Sequence, residues 1–250
     1  MLRIRRRYVT STTETGKHPD ETLEELARRY GTDKITDHDY IRHYVRHFEE
    51  MRCERMHVLE IGIGGYEGAE TGGAGLRMWR DYFYNSIVYG LDYEKKTIDE
   101  PRIKVFQGNQ ADPVAIANII NSVDGRLLDI VIDDGSHRSE HVVTTFMMLF
   151  PYVRDGGWYV VEDTQTSYWH DFGGNSYDLN DNRTTMTFFK ARIDSMNWME
   201  QHRPALIPDY ADLHIVEMHF YHNLIFVRKG SNRGPSNIVK GNIIRGHLGV

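Results

Sequence analysis

The stretch His57-Val-Leu-Glu-Ile-Gly-Ile-Gly-Gly65 decides the fold. Branched apolar residues run straight into glycines, the pattern of a buried strand that opens on a tight turn. The same kind of run recurs downstream: Ser86-Ile-Val-Tyr-Gly-Leu91 closed by Asp92, Arg102-Ile-Lys-Val-Phe106, Leu128-Asp-Ile-Val-Ile132 closed by Asp133-Asp134, and Gly157-Trp-Tyr-Val-Val161 closed by Glu162-Asp163. Between these runs, three- and four-residue spacing predicts helices over 75–83, 114–120 and about 139–149. Nearly continuous apolar strands alternating with helices imply a parallel sheet buried on both faces and joined by right-handed crossovers. Upstream, Leu23, Leu26, Ala27 and Tyr30 end at Gly31, and Tyr40, Ile41, Tyr44, Val45 and Phe48 trace a second stripe, so two helices precede the first strand. Downstream come a polar loop over about 164–182 and a helix over about 184–201. Two closing runs, Leu213-His-Ile-Val216 and Asn223-Leu-Ile-Phe-Val227, are near enough to form an antiparallel hairpin. The expected class is α/β: a doubly wound, Rossmann-like sheet with a terminal antiparallel hairpin and two N-terminal helices.

In 250 residues, 30 lysines and arginines stand against 36 aspartates and glutamates, a net charge of −6, and 40% of the chain is apolar. That length encloses one sheet with helices on both faces, and the composition excludes disordered, collagen-like and disulfide-stapled classes. Residues 1–20, opening with Arg3, Arg5, Arg6 and Arg7 and continuing in small polar residues, read as a flexible segment. The domain is expected over 21–230, and 231–250, rich in glycine and asparagine, as a tail that packs on a partner subunit, which makes a homo-oligomer the expectation. The acidic balance argues against a nucleic-acid partner. No apolar run approaches the roughly 20 residues of a membrane span, and the basic start lacks the apolar core of a signal peptide. A single cysteine, Cys53, excludes an internal disulfide and a cysteine-based zinc cluster and suits a cytoplasmic location.

Ligands of open α/β sheets sit beyond the carboxyl ends of the strands, so the exit of the first strand matters most. Gly62 and Gly64 let a ligand approach the backbone closely, and Asp92, after the second strand, lies where a carboxylate accepts hydrogen bonds from ribose hydroxyls. A nucleoside-containing cofactor is implied, with Glu60 beside it. The dinucleotide fingerprint fails, because Glu67 stands where its third glycine belongs. Glu67 and Glu70 would repel a pyrophosphate, whereas S-adenosylmethionine has no phosphate and carries a sulfonium and an amine. The acidic glycine loop therefore points to that cofactor and away from a nicotinamide-dependent oxidoreductase.

Asp133-Asp134 and Glu162-Asp163 bring up to four carboxylates to one rim of the sheet. Oxygen ligands of this kind suit Mg²⁺, or Mn²⁺ or Ca²⁺, and without a cation the carboxylates would repel one another or protonate. Because neighbouring strand residues point to opposite faces, Asp134, Glu162 and Asp163 are expected at the metal, and Asp133 toward the cofactor or the backbone of the following turn. His137, three residues beyond Asp134, is the candidate general base. A hydroxyl attacks a methyl group readily only when a cation stabilises the developing alkoxide and a base near neutrality takes the proton. Zinc binding by His137 and His141 is disfavoured, since Arg138 stands where the H-E-x-x-H motif needs glutamate.

These residues resemble the metal-dependent, mycinamicin-type sugar O-methyltransferases, a branch of the class I S-adenosylmethionine-dependent enzymes. The likeness spans about 30–230. It is carried by Gly31-Thr-Asp-Lys34 with His38 and Tyr40, by Leu59-Glu-Ile-Gly-Ile-Gly-Gly-Tyr66, and by Gly72-Gly73 with Leu76-Arg-Met-Trp79. Ile132-Asp-Asp-Gly-Ser-His137 and Val161-Glu-Asp163 with Gln165-Thr-Ser-Tyr-Trp169 complete it. The resemblance implies S-adenosylmethionine as methyl donor, Mg²⁺ at Asp134, Glu162 and Asp163, and His137 as base. Catechol O-methyltransferase looks similar in the spacing of its metal carboxylates and base, which keeps an aromatic diol as the alternative acceptor. Gly108-Asn109-Gln110 stands where the family pattern leads one to expect an acidic residue, which leaves Gln110 as the cofactor contact there. The large amino-terminal domain of the mycinamicin enzyme has no counterpart in this sequence, so its macrolide acceptor is not carried over. Thr164 to Thr185 has no clear period and carries Tyr168 and Trp169, whose rings are suited to stack on a sugar, with Asp171, Asn175, Asp178 and Asn180 as partners for hydroxyls. The expected acceptor is a sugar, on a small molecule or an oligosaccharide.

Overall fold

The computed structural model describes residues 20–201 and 206–234, together with two short strands, Val239–Lys240 and Ile243–Ile244, that pair antiparallel. The expected flexible segment, and the side chains of the expected tail beyond 234, lie outside the described residues.

Seven strands form one sheet: β1 (His57–Ile61), β2 (Ile87–Asp92), β3 (Ile103–Gln107), β4 (Leu128–Asp133), β5 (Val153–Val161), β6 (Ile215–Tyr221) and β7 (Leu224–Lys229). Their order is β3-β2-β1-β4-β5-β7-β6, with β1 to β5 parallel and β7 antiparallel to both β5 and β6. The doubly wound sheet and its terminal antiparallel hairpin are as the sequence led us to expect. Alternate residues face alternate layers. Val58, Val88, Ile130, Ile132 and Val160 pack with α1 (Leu23–Tyr30), α3 (Ile41–Phe48) and α4 (Ala74–Tyr82). Leu59, Tyr89, Val131, Tyr159 and Val161 pack with α5 (Pro113–Ser122), α6 (Ser139–Leu149) and α7 (Thr185–Met196). Every residue of β4 is buried, Asp129 included, which is why the strand otherwise reads as an apolar run up to Asp133.

Local chemistry fixes several ends. Thr22 and Glu25 form a capping box at the start of α1, and Gly31 in the left-handed region ends it. Asp112 caps α5 and Pro113 takes its first turn. Four features differ from the pattern reading. A one-turn helix, α2 (Asp33–Thr36), capped by Thr32, lies within the Gly31-Thr-Asp-Lys34 motif. β5 begins at Val153, ahead of two glycines that hid its start, and a short α8 (Tyr210–His214) takes the beginning of the run read as the first closing strand. The helix expected to 201 ends at Met196, followed by a 3₁₀ turn over Trp198–Glu200.

The strand order reverses between β1 and β4, and there the carboxyl ends open a crevice. Ile61 pairs with Asp133, and Asp133 with Val161, so the exits of β1, β4 and β5 stand side by side. Among the described residues, no helix is long and apolar enough to cross a membrane.

Candidate active site

At this crevice a cavity of about 690 Å³ is lined by Glu60, Gly62 to Gly65, Asp92, Gln110, Asp134 to His137 and Asp163, with Lys34 and Lys96 also in its wall. The two glycines after β1 are there for different reasons. A Cβ at Gly62 would lie 2.0 Å from the carbonyl oxygen of Asp134, so this glycine lets the β1 and β4 exits touch backbone to backbone. A Cβ at Gly64 would meet nothing within 4 Å, and its φ of +68° and its place in the cavity wall leave that space to a ligand. Asp92 fastens the turn: one carboxylate oxygen accepts from Ile63 N at 2.8 Å and the other from Glu94 N at 2.8 Å. Lys96 donates to the carbonyl of Gly65 from a nearly buried position. Glu67 and Glu70 are exposed and absent from the cavity wall, so the acidity expected of the glycine loop comes instead from Glu60 and Asp92.

Gln110 lies between the cavity and the core. Its amide nitrogen donates to Asp133 Oδ1 at 2.9 Å and to Thr145 Oγ1 at 3.1 Å, and its oxygen accepts from Ser136 N at 2.7 Å. It therefore anchors the turn that carries His137. Asp133 is buried, takes a further bond from Tyr159 Oη at 3.2 Å and does not line the cavity. Burial pushes its carboxyl up to about 6, against the donors around it.

Beyond β4 and β5 the side chains divide into an inner and an outer group. Ligand atoms of Asp134, His137 and Asp163 all lie within 4.8 Å of one another, on the side that faces the cavity. Glu162 turns the other way, onto the face that Val160 occupies two residues earlier, while Asp163 takes a left-handed conformation (φ 53°) as the chain leaves β5. Its Oε1 accepts from the buried Tyr44 Oη and from Lys34 Nζ at 2.9 Å. Glu162, expected at the metal with Asp134 and Asp163, is thus behind them; both of these bonds fall on Oε1, which leaves Oε2 as the atom it can offer a cation. His137 shares the left-handed conformation (φ 56°), so two of the six described non-glycine residues at positive φ belong to the outer trio. Such strain persists only where the surroundings impose it, and it clusters at functional sites. Tyr40 Oη donates to Asp163 Oδ1 at 2.8 Å, and His38 Nδ1 lies 3.5 Å from the same oxygen.

The carboxyl groups here share one electrostatic condition. Burial raises Asp134, Glu162 and Glu60, the last to about 7, and the Lys34 ammonium only partly offsets it. Lys34 itself is held well above the ordinary lysine value: burial opposes its charge, but Asp134, Glu162 and Glu60 more than compensate. The cluster is short of positive charge, and oxygens from Asp134 and Asp163 are donors that suit Mg²⁺ or Mn²⁺, with the His137 imidazole beside them. On the cofactor side, Glu60 Oε2 is buried without a hydrogen-bond partner.

Tyr168 and Trp169 are exposed and do not reach the cavity wall. Their segment is built of two 3₁₀ turns, Thr164–Tyr168 and His170–Phe172. Asn175 Oδ1 accepts from the backbone of Tyr177 and Asp178, and Asp178 Oδ1 from that of Asn180, so these polar groups shape the loop itself. Sequence reasoning assigned no role to Lys34, Tyr40, Tyr44 or Lys96. The motif Gly31-Thr-Asp-Lys34 with His38 and Tyr40 was the available signal for three of the site's partners.

The fold is the Rossmann-like fold of the methyltransferases. Residues 88–194 match the family model of the rhamnosyl O-methyltransferase/CmcI group. Demethylmacrocin O-methyltransferase of Streptomyces fradiae is 46% identical over 221 residues, which cover 87% of this chain and 55% of that protein. Mycinamicin VI 2''-O-methyltransferase of Micromonospora griseorubida is 44% identical over 221 residues, covering 86% and 54%. The solved structure of the MycE methyltransferase from the mycinamycin biosynthetic pathway, in complex with Mg, SAH and mycinamycin VI, superposes with a TM-score of 0.80 at 43% identity, covering 86% of this chain and 55% of that one. The chain is a homologue of the mycinamicin-type sugar O-methyltransferases, and the resemblance read from its motifs is borne out. It spans about half the length of the curated relatives it matches.

Proposed function

We propose that this chain is an S-adenosylmethionine- and Mg²⁺-dependent O-methyltransferase that methylates a hydroxyl of a sugar on a small molecule or oligosaccharide. The observation that carries this reading is the convergence of Asp134, His137 and Asp163 on the rim of a cavity whose floor holds Gly64, Asp92 and the unpartnered Glu60 oxygen. Asp92 presents its remaining lone pairs to ribose hydroxyls, and Glu60 Oε2 accepts from the amine of the methionine part. Gln110 acts at one remove, by fixing the Ser136–His137 turn. Asp134 and Asp163 hold the cation, with Glu162 Oε2 as the third carboxylate oxygen, and Mn²⁺ meets the same donor requirements. When bound, the cation supplies the Lewis acidity that lowers the cost of ionising a sugar hydroxyl. His137 takes the hydroxyl proton on its imidazole, and the rigid turn that strains its backbone sets the direction of approach. Tyr168 and Trp169 are the acceptor-facing aromatics of this reading, since they follow Asp163 within one loop and expose their rings.

The activity is assigned to the domain over 21–230. Its free, exposed Cys53 suits the reducing cytoplasm, and Val216 and Phe220, exposed on the edge strand β6, favour assembly with copies of itself. Transfer of labelled methyl from S-adenosylmethionine to rhamnosyl and other deoxysugar glycosides, in competition with a catechol, tests the proposal. Labelled sugar in Mg²⁺ and none in EDTA is the expected result; labelling of the catechol alone, or transfer unchanged in EDTA, would refute it.

A further inference from the structure

Lys34 is 1% exposed, yet its ammonium touches one carboxylate from each of three strands: Glu60 of β1 at 3.3 Å, Asp134 after β4 at 2.5 Å and Glu162 after β5 at 2.9 Å. It comes from outside the sheet, on α2. Thr32 Oγ1 accepts from its backbone nitrogen, and its carbonyl accepts from Tyr40 N at 2.9 Å. Neutral donors fix the same carboxylates from behind, Tyr44 Oη on Glu162 and Trp79 Nε1 on Glu60 at 3.3 Å. Asp163 and His137 make no such contact with the lysine and stay toward the cavity.

We propose that Lys34 is a built-in counter-ion and positioning residue. It keeps the carboxylates of three strand ends together when no metal is present. Being a cation bound to Asp134, it also limits how tightly a divalent ion is held on the outer face. The inference rests on the divalent-cation reading above. A buried carboxylate cluster deprived of this lysine is left with uncompensated charge, which costs stability. The same loss removes a like charge a few ångströms from where a divalent ion would bind, which strengthens binding.

The two effects have opposite signs, and that makes the role testable. Lys34→Met retains length without charge, and Lys34→Met/Glu60→Gln removes a negative charge along with the positive one. Thermal unfolding in EDTA reads the metal-free state, and the electron paramagnetic resonance signal of free Mn²⁺ reads affinity. We expect K34M to melt roughly 10 °C lower in EDTA, yet to bind Mn²⁺ roughly tenfold or more tightly than the wild type. The double variant should regain most of the lost melting temperature. If stability and Mn²⁺ affinity fall together, Lys34 only packs, and the proposal is overturned. If K34M does not fold in EDTA, a folded double variant supports the counter-ion, whereas failure of both variants overturns it. A wild type that melts normally but binds no Mn²⁺ counts against the divalent-cation reading, while the comparison of the two variants in EDTA still decides the role of Lys34.

Discussion

Gly62→Ala would drive a methyl group into the carbonyl that begins the His137 turn. A Cβ there lies 2.0 Å from Asp134 O and 2.7 Å from its carbonyl carbon. Ordinary contact needs about 3.5 Å, so the β1 and β4 exits must part by more than about 1 Å. The residue also sits at φ +88°, which costs an alanine about 1–2 kcal/mol, and the forced separation adds roughly 1–3 kcal/mol. For a chain of this size each kcal/mol moves the melting temperature by about 2–4 °C, so a fall of roughly 5–20 °C is expected. Gly64→Ala has the φ cost alone, about 1–2 kcal/mol, since nothing lies within 4 Å of its Cβ. The methyl occupies space reserved for the ligand, so its main effect should be at least about a tenfold loss in affinity for S-adenosylhomocysteine. Differential scanning fluorimetry and calorimetric titration of both variants separate the two roles. Equal melting of the two variants, or full cofactor affinity in G64A, would refute the assignment of Gly62 to backbone contact and Gly64 to the ligand.

Asp133 makes the metal-free protein sensitive to pH. Its native value of about 6 lies above the ordinary 3.8, so its stabilising share is complete below about pH 4 and is lost as pH rises through 6, a change of about 3 kcal/mol. Denaturant unfolding in EDTA from pH 4 to 8 should show this decline, and Asp133→Asn should remove that share whatever its absolute stability. A variant whose slope matched the wild type would contradict the burial of a charged Asp133. His137→Ala should lower kcat by roughly 10²–10⁴-fold, with S-adenosylhomocysteine affinity within about threefold of wild type. A large affinity loss in steady-state and calorimetric measurements would make His137 a cofactor or structural residue.

Much of the scaffold was legible in the sequence because its strands are buried on both faces. Leu128-Asp-Ile-Val-Ile132 and Gly157-Trp-Tyr-Val-Val161 have few interpretations other than central strands, and the carboxylates at their ends marked the rim. What escaped were features set by contacts between distant segments. Lys34 was given no role within its motif, since only folding brings its ammonium to Asp134, 100 residues away. Glu162 follows the face of Val160, as alternation along the strand requires, but the left-handed conformation of Asp163 at the end of β5 was hidden. Glu67 and Glu70 gave the glycine loop an acidic appearance in sequence, but a loop with glycines 65, 68 and 72 at positive φ turns both glutamates to solvent. Gly62 needed its partner, the Asp134 carbonyl, before its reason could be seen.

The proposed function requires the cavity beyond β1 and β4 to take a sulfonium nucleoside beside a divalent-cation site. The most direct test is calorimetric titration of the wild-type protein with S-adenosylmethionine, with NADH as control, first in EDTA and then in Mg²⁺. We predict binding of S-adenosylmethionine with a stoichiometry near one, no binding of NADH, and a separate Mg²⁺ binding heat that disappears in Asp134→Asn. Tight binding of NADH with no response to S-adenosylmethionine would contradict the account.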